Sequence, residues 1–225
     1  MTFIELVRAV RSRVGMQGTG PSSITGAAGA EVDLVNVVSD AWLDIQNSRD
    51  DWRWMRSQAT FNVAVGTEVY TPFTIFATSS HRLGRWREDT FYWTDTDSKK
   101  KPANYLDYDN WTYRHLNDTA ADNNKISEWT IRPYDEAIVV NRPSSTYSVR
   151  IDYQKKPQTL VTDSDTPEMP SHFHLVIVYE AVSKYCAAIS TPEIYDKYSY
   201  DHAKLYGALQ RAYLPEKKIR VTGIA

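Results

Sequence analysis

The chain has 225 residues, and 26 lysines and arginines against 28 aspartates and glutamates leave a formal net charge of -2. That length suits one folded unit with an insertion, or two small units sharing a core. The near-neutral balance argues against a protein that grips duplex DNA electrostatically, which needs a clustered excess of Lys and Arg. The single cysteine, Cys186, excludes an internal disulfide framework and a Cys-based zinc site, and fits synthesis in a reducing cytosol. No segment approaches the roughly 18 consecutive apolar residues of a membrane span, and the amphipathic stretch carrying Arg8, Arg11 and Arg13 lacks the apolar run of a secretory signal. A soluble, unsecreted protein is expected. Seven Trp and fifteen Tyr are many for this length, and such side chains suit interfaces as well as cores.

Thr2 followed by Glu5 has the spacing of a capping box, and Phe3, Val7, Val10 and Val14 recur every three or four residues, which predicts a first helix ended by Gly15. Residues 15–30 hold five of the nine glycines, with Pro21 among them, and read as a flexible loop. A second helix is expected from Ala30 to Arg56, with Val35, Val38, Trp42, Ile45 and Trp52 on one seam. Its other faces are acidic, carrying Glu31, Asp33, Asp40, Asp44, Asp50 and Asp51.

From Gln58 the period changes to alternation. Phe61, Val63 and Val65 point one way, and Gly66 and Thr67 turn the chain into Val69 and Tyr70 as a strand pair. Extended stretches are expected at residues 83–88 and 91–93, then a polar loop with Lys99, Lys100 and Lys101, and a short helix from Tyr108 to Leu116. Trp129 with Ile131, Ile138 with Val140, and Tyr147, Val149, Ile151 and Tyr153 give three further alternating runs. After Lys156 and Pro157 a connector is expected over residues 158–171, where Pro167 and Pro170 prevent regular structure. Ser171 is expected to cap a third helix reaching Ser190. Thr191 and Pro192 open a fourth, with Ile194, Tyr198, Leu205, Leu209 and Ala212 on its apolar side and Pro215 as its stop.

The resulting fold class is α+β. A four-helix bundle formed by both termini (residues 1–57 and 158–214) frames a mostly antiparallel β insertion (58–157) between its second and third helices. An extended C-terminal tail (215–225) follows. Single apolar stripes are stable only when buried against one another, which is why the terminal helices should pack together.

Candidate chemistry is sparse. The stretch TLVTDSDTP mimics the aspartate motif of haloacid-dehalogenase phosphatases, but the residues after it are nearly all helical and cannot supply the parallel sheet that motif needs. Asp163 and Asp165 read instead as turn residues bonding nearby amides. His172 and His174 are two apart, so on a helix they point to nearly opposite faces and cannot share a metal ion. His81, His115 and His202 have no evident partners in the sequence. Gly15, Gly18 and Gly20 follow a helix and lack a lysine, unlike a phosphate loop. Cys186 reads as a small buried hydrophobe. Trp86, Trp93, Trp111 and Trp129 could form a sugar-binding face, though core or interface positions are the commoner use of such residues. No catalytic residue, metal or cofactor is expected.

The stretch YSVRIDYQKKPQTLVTDSDTPEMPSHFHLVIVYEAVSKYCA resembles the head-to-tail adaptor (connector) proteins of tailed bacteriophages, as do AWLDIQNSRDDWRWM and TFNVAVGTEVYTP. The likeness follows the order of elements over nearly the whole chain. It implies a structural, non-enzymatic virion protein made in the host bacterial cytoplasm and placed in the neck. It also implies a homo-oligomeric ring, usually dodecameric, that binds the portal protein, joins downstream tail or nozzle proteins, and passes double-stranded DNA through its channel at genome ejection. The alternatives weighed are another neck ring (a stopper or tail terminator) and a carbohydrate-binding or enzymatic tail module.

On this reading Asp33, Asp40 and Asp44 are candidates to face the channel, where like charge would let DNA slide. The tail residues Lys217, Lys218, Ile219, Arg220, Val221 and Ile224 are the expected portal anchor. Extended at roughly 3.3 Å per residue, the tail would span at most about 36 Å.

Overall fold

Helix α1 (Phe3–Arg13) forms where its cap dictates: the Thr2 hydroxyl accepts the Glu5 amide at 3.4 Å, and the Glu5 carboxylate accepts the Thr2 amide at 2.8 Å. Phe3, Leu6, Val7 and Val10 are buried, and Gly15, at φ +78°, carries the chain out of the helix through left-handed space. The computed structural model describes residues 1–77, 82–94, 99–115, 125–189 and 191–215, which include six α-helices and nine strands. The fold is α+β, and the chain divides into two units, Met1–Met55 with Pro157–Ala225, and Arg56–Lys156.

In the first unit, α2 (Ala30–Asn47) is shorter than its expected span to Arg56. Two side chains close it: the Ser48 hydroxyl donates to the Ile45 carbonyl at 2.6 Å, and the Trp52 indole N–H donates to the same oxygen at 2.9 Å. Trp52 therefore reaches the core by folding back over the helix end, not by standing on the helical seam. It stacks on Trp54 at 4.2 Å between centroids, ahead of a 3-10 turn at Arg53–Met55. Val35, assigned to the seam, is only half-buried, while Leu34 and Ala41 are fully buried.

Residues 157–170 contain no regular element. Ser171 does not cap a helix with its side chain. It opens a 3-10 turn (Ser171–Phe173) whose first carbonyl accepts the His174 amide, and α5 (His174–Ile189) starts there. Helix α6 (Pro192–Tyr213) begins at Thr191 and Pro192 as expected, although the Thr191 side chain makes no capping bond. Helix α5 packs on α1, α2 and α6. One core joins all four helices with Trp52, Met55, Leu160, Met169 and Phe173. Helix α6 gives that core only one fully buried side chain, Leu209, and Ala212, assigned to its apolar side, is exposed.

The second unit holds β1 (Arg56–Val63), β2 (Val69–Tyr70), α3 (Pro72–Phe76), β3 (Leu83–Trp86), β4 (Tyr92–Thr94), β5 (Lys100–Pro102), β6 (Asn104–Tyr105), α4 (Tyr108–His115), β7 (Glu128–Ile131), β8 (Ile138–Val140) and β9 (Tyr147–Lys155). Strand β9 is the centre of the larger sheet, with β1 along one side and β4 and β3 end to end along the other; β5 continues outward from β4. The smaller sheet runs β2-β8-β7-β6, its β6–β7 pair parallel.

The expected β1–β2 strand pair does not form. Strand β1 pairs instead with β9 in continuous antiparallel register from Arg56↔Gln154 to Val63↔Tyr147, and β2 joins β8 in the other sheet. The long partner wins because it buries Ala59, Phe61 and Val63 opposite the alternating Tyr147, Val149 and Ile151. Val65, assigned to the same face, lies beyond the strand and is exposed. Residues 100–102, expected in a loop, form β5 against β4, where the Lys101 ammonium sits 5.1 Å from the Trp93 ring centre. Residues from both sheets, including Trp86, Phe91, Trp93, Trp129 and Tyr153, share a second core.

Candidate functional site

The motif that most resembles catalytic machinery is spent on architecture. Asp165 accepts the amides of Val161 at 2.6 Å and Thr162 at 2.8 Å on one carboxylate oxygen, and the Thr162 hydroxyl at 2.5 Å on the other. These donors, the hydroxyl foremost, hold its carboxyl below the usual range. The Asp163 carboxylate accepts the Ile24 amide at 2.6 Å. The carbonyls of the same two residues accept the first amides of α1, Phe3 to Asp165 at 2.7 Å and Ile4 to Asp163 at 3.4 Å. Orphan N–H groups at a helix start are thus satisfied by a turn 160 residues away in sequence. Both carboxylates are occupied by donors from the fold, as turn residues are.

The two histidines at the start of α5 diverge. His174 is buried; its Nε2–H donates to the Met169 carbonyl at 2.9 Å, and its Nδ1 lies 2.7 Å from the Met1 nitrogen. Burial pushes its pKa down, so the ring is neutral. His172 packs against Phe173 and Tyr213. Two further histidines have partners that the sequence did not reveal. His115 Nε2 is 3.0 Å from Glu128 and its ring lies against Trp111, while His202 Nε2 is 3.3 Å from Glu180 with its ring stacked on Tyr206. His81 lies outside the described residues. Among the described residues no three metal-ligating side chains come together.

The glycine loop is tied down by α1, in contrast to the flexible loop expected. The Arg8 guanidinium donates twice to the Pro21 carbonyl, at 2.9 and 3.2 Å, and Arg11 donates to the Gln17 carbonyl and pairs with Glu31 at 3.0 Å. Gly20, at φ +84°, lets the loop lie against those arginine stems, where a Cβ would stand 3.2 Å from both. Cys186 is buried in α5. Trp86, Trp93, Trp111 and Trp129 are all buried as well, so none offers a ring face to a sugar.

What the structure presents outward is aromatic and charged surface. On the second unit Phe73, Tyr113 and Tyr134 are 64, 88 and 74% exposed. On the first, Tyr200 of α6 is 72% exposed, and Tyr195 and Ile189 are also exposed. Lys197, Lys204 and Arg211 recur at seven-residue intervals on the exposed side of α6, a pattern the sequence reading did not use. Asp33, Asp40 and Asp44 lie on one exposed stripe of α2, and Asp44 forms an ion pair with Lys184 of α5 that raises the lysine pKa. Residues 216–225, with Lys217, Lys218, Ile219, Arg220, Val221 and Ile224, lie outside the described residues. Among the described residues no helix is long and apolar enough to cross a membrane.

Comparison with curated proteins gives no match. Residues 1–221 match the model of a family described as SU10 adaptor protein. That match covers nearly the whole chain, so the protein belongs to the SU10 adaptor protein family, a phage head-to-tail adaptor family.

Proposed function

We propose that this chain forms a dodecameric ring in the virion neck, binding the portal on one side and tail or nozzle proteins on the other, with DNA passing through its channel. Family membership supports a structural adaptor role. The observation that carries the ring is the exposure of large aromatic side chains on both units, Tyr200 on the helical one and Phe73, Tyr113 and Tyr134 on the β-rich one. A subunit in a closed ring meets its neighbours through two different surfaces, and Tyr is among the residues such surfaces favour. In this reading α1, α2, α5 and α6 form a four-helix bundle that serves as the rigid body of the subunit, and residues 216–225 anchor it to the portal.

The protein performs no chemistry on this reading. Its most enzyme-like carboxylates, Asp163 and Asp165, hold backbone amides. Native mass spectrometry and negative-stain imaging of neck complexes test the ring: closed rings of one stoichiometry are expected, and isolated copies on the virion would overturn it.

A further inference from the structure

Helix α6 is anomalous within its own unit. It runs 22 residues yet buries only Leu209 fully, and its outward side carries exposed Lys197, Tyr200, Lys204 and Arg211 with half-buried Gly207 among them. At 100° per residue these five positions fall within about 80° of arc, with the cations a heptad apart and therefore about 10.5 Å apart along the axis. Among the described residues nothing requires glycine at 207: a Cβ there would meet only the Arg211 guanidinium, at 3.6 Å. Glycine inside a helix is disfavoured relative to alanine, and no contact among the described residues explains its presence.

Helix α2 carries the matching ladder. Asp33 and Asp40 are exposed and a heptad apart, with Asn47 the next position, so these carboxylates repeat at the same spacing as the α6 cations. Half-buried Leu43 and Val37 and exposed Asn36 flank them. Helix α5 packs on both α2 and α6, so the two ladders stand on different elements and one copy's α6 can meet another's α2. This is a heterologous contact, the kind that closes into a ring.

We infer that the exposed face of α6 docks antiparallel onto the acidic face of α2 in a second copy of this chain. The charge pattern selects that occupant and direction. With Lys204 opposite Asp40, Arg211 falls opposite Asp33, and Tyr200 comes beside Leu43. Gly207 leaves room for the Asn36–Val37 segment. The carboxylates Glu193 and Asp196 in the first turns of α6 fall near Arg49, just past the end of α2. Parallel docking would keep the central pair and set Lys197 opposite Asp33, the same number of ion pairs, but would lose the Arg49 match, which is what selects the antiparallel direction. Asp44 stays with Lys184 of its own subunit. Asp33 and Asp40 are thereby assigned to the subunit contact instead of a channel wall. The inference rests on the ring reading.

The test uses full-length protein in necks isolated from particles. Asp40→Cys with Lys204→Cys, treated with a short bismaleimide, is expected to give a ladder of covalent multimers up to the ring mass, while either cysteine alone stays monomeric. A closed ring by native mass without that ladder overturns the docking and leaves the ring standing; absence of any ring overturns both. In parallel, Lys197→Glu/Lys204→Glu/Arg211→Glu is expected to weaken assembly on the order of tenfold or more, because like charges then face one another. Adding Asp33→Lys/Asp40→Lys to the same chain is expected to restore it. Failure of that restoration overturns the pairing.

Discussion

The Asp163 carboxylate accepts the Ile24 amide at 2.6 Å across 139 residues of sequence, and this bond fastens the glycine loop to the turn that also receives the first amides of α1. The turn is therefore where the two ends of the helical unit are joined. Asp163→Ala removes the acceptor and leaves a part-buried amide unpaired, at a cost of about 1–3 kcal/mol. The expected outcome is a lower urea midpoint at unchanged slope, with Asp163→Asn retaining part of the stability and particle assembly persisting at permissive temperature. Loss of infectivity with intact necks would instead point to a chemical role for this carboxylate.

Gly84 marks the irregular step where β3 leaves regular register with β9, between Leu83 and Arg85. A Cβ at that position would stand 2.9 Å from the Gln154 carbonyl oxygen and 3.2 Å from the Lys155 carbonyl carbon, both backbone atoms that cannot rotate away. Gly84→Ala is expected to push β3 off the central strand and destabilise the second unit by about 1–3 kcal/mol. Hydrogen exchange on β3 and β9 checks this: amides there should lose protection while those of α1 and α5 keep theirs.

The local signals in the sequence were legible where one short stretch decides the outcome. Thr2 with Glu5 and Thr191 with Pro192 mark helix starts that the structure places within a residue, because a cap depends on its own turn. Long-range choices were not legible. Gly66 and Thr67 suggested a hairpin, but an eight-residue pairing with β9 outweighs a two-residue return strand. The end of α2 depended on Trp52 folding back to the Ile45 carbonyl, which helical periodicity cannot distinguish from a continuing seam. The helix α3 was missed although Thr71 caps it and Pro72 occupies its first turn, since five residues are too few to show a period. Among candidate functional residues, His172 and His174 diverge because His172 sits in the 3-10 turn ahead of α5, not on one helix with His174 as the spacing assumed; Glu128 and Glu180 beside His115 and His202 come from other elements, while Trp111 and Tyr206 stand four residues away on the histidines' own helices.

His174 makes stability depend on pH with a defined sign. Burial holds its pKa below the ordinary imidazole value of about 6.5, so about a unit or more above that value the ring is neutral in both folded and unfolded chains and contributes little slope. Below that, the unfolded chain takes up the proton first, and stability falls until the pH passes the depressed folded value. The contribution of this one group to the slope cannot exceed about 1.4 kcal/mol per pH unit. His202, also shifted down by burial, acts in the same direction. Urea midpoints between pH 7.5 and 5 should decline for the natural chain, and less steeply for His174→Gln. An equal slope in the variant would show that the ring does not stay neutral in the fold.

Truncation after Leu214 removes the segment proposed as the portal anchor and leaves the rest of the subunit. Leu214 has extended backbone geometry and Pro215 follows it, so the helix is complete at that point. Leu209 and the core it joins lie upstream. The removed residues include Lys217, Lys218 and Arg220 alternating with Ile219, Val221 and Ile224, a pattern that pairs cations with side chains suited to an apolar groove or an added strand on another protein. Loss of these residues should leave the unfolding free energy from urea titration within about 0.5 kcal/mol of the full chain, the range of changes remote from a core. Attachment to portal-bearing heads, measured by co-sedimentation, should be abolished. Attachment at the level of the full chain would show that the portal is bound through the body of the subunit, leaving the exposed surfaces of α6 and of the β-rich unit as the regions to mutate next.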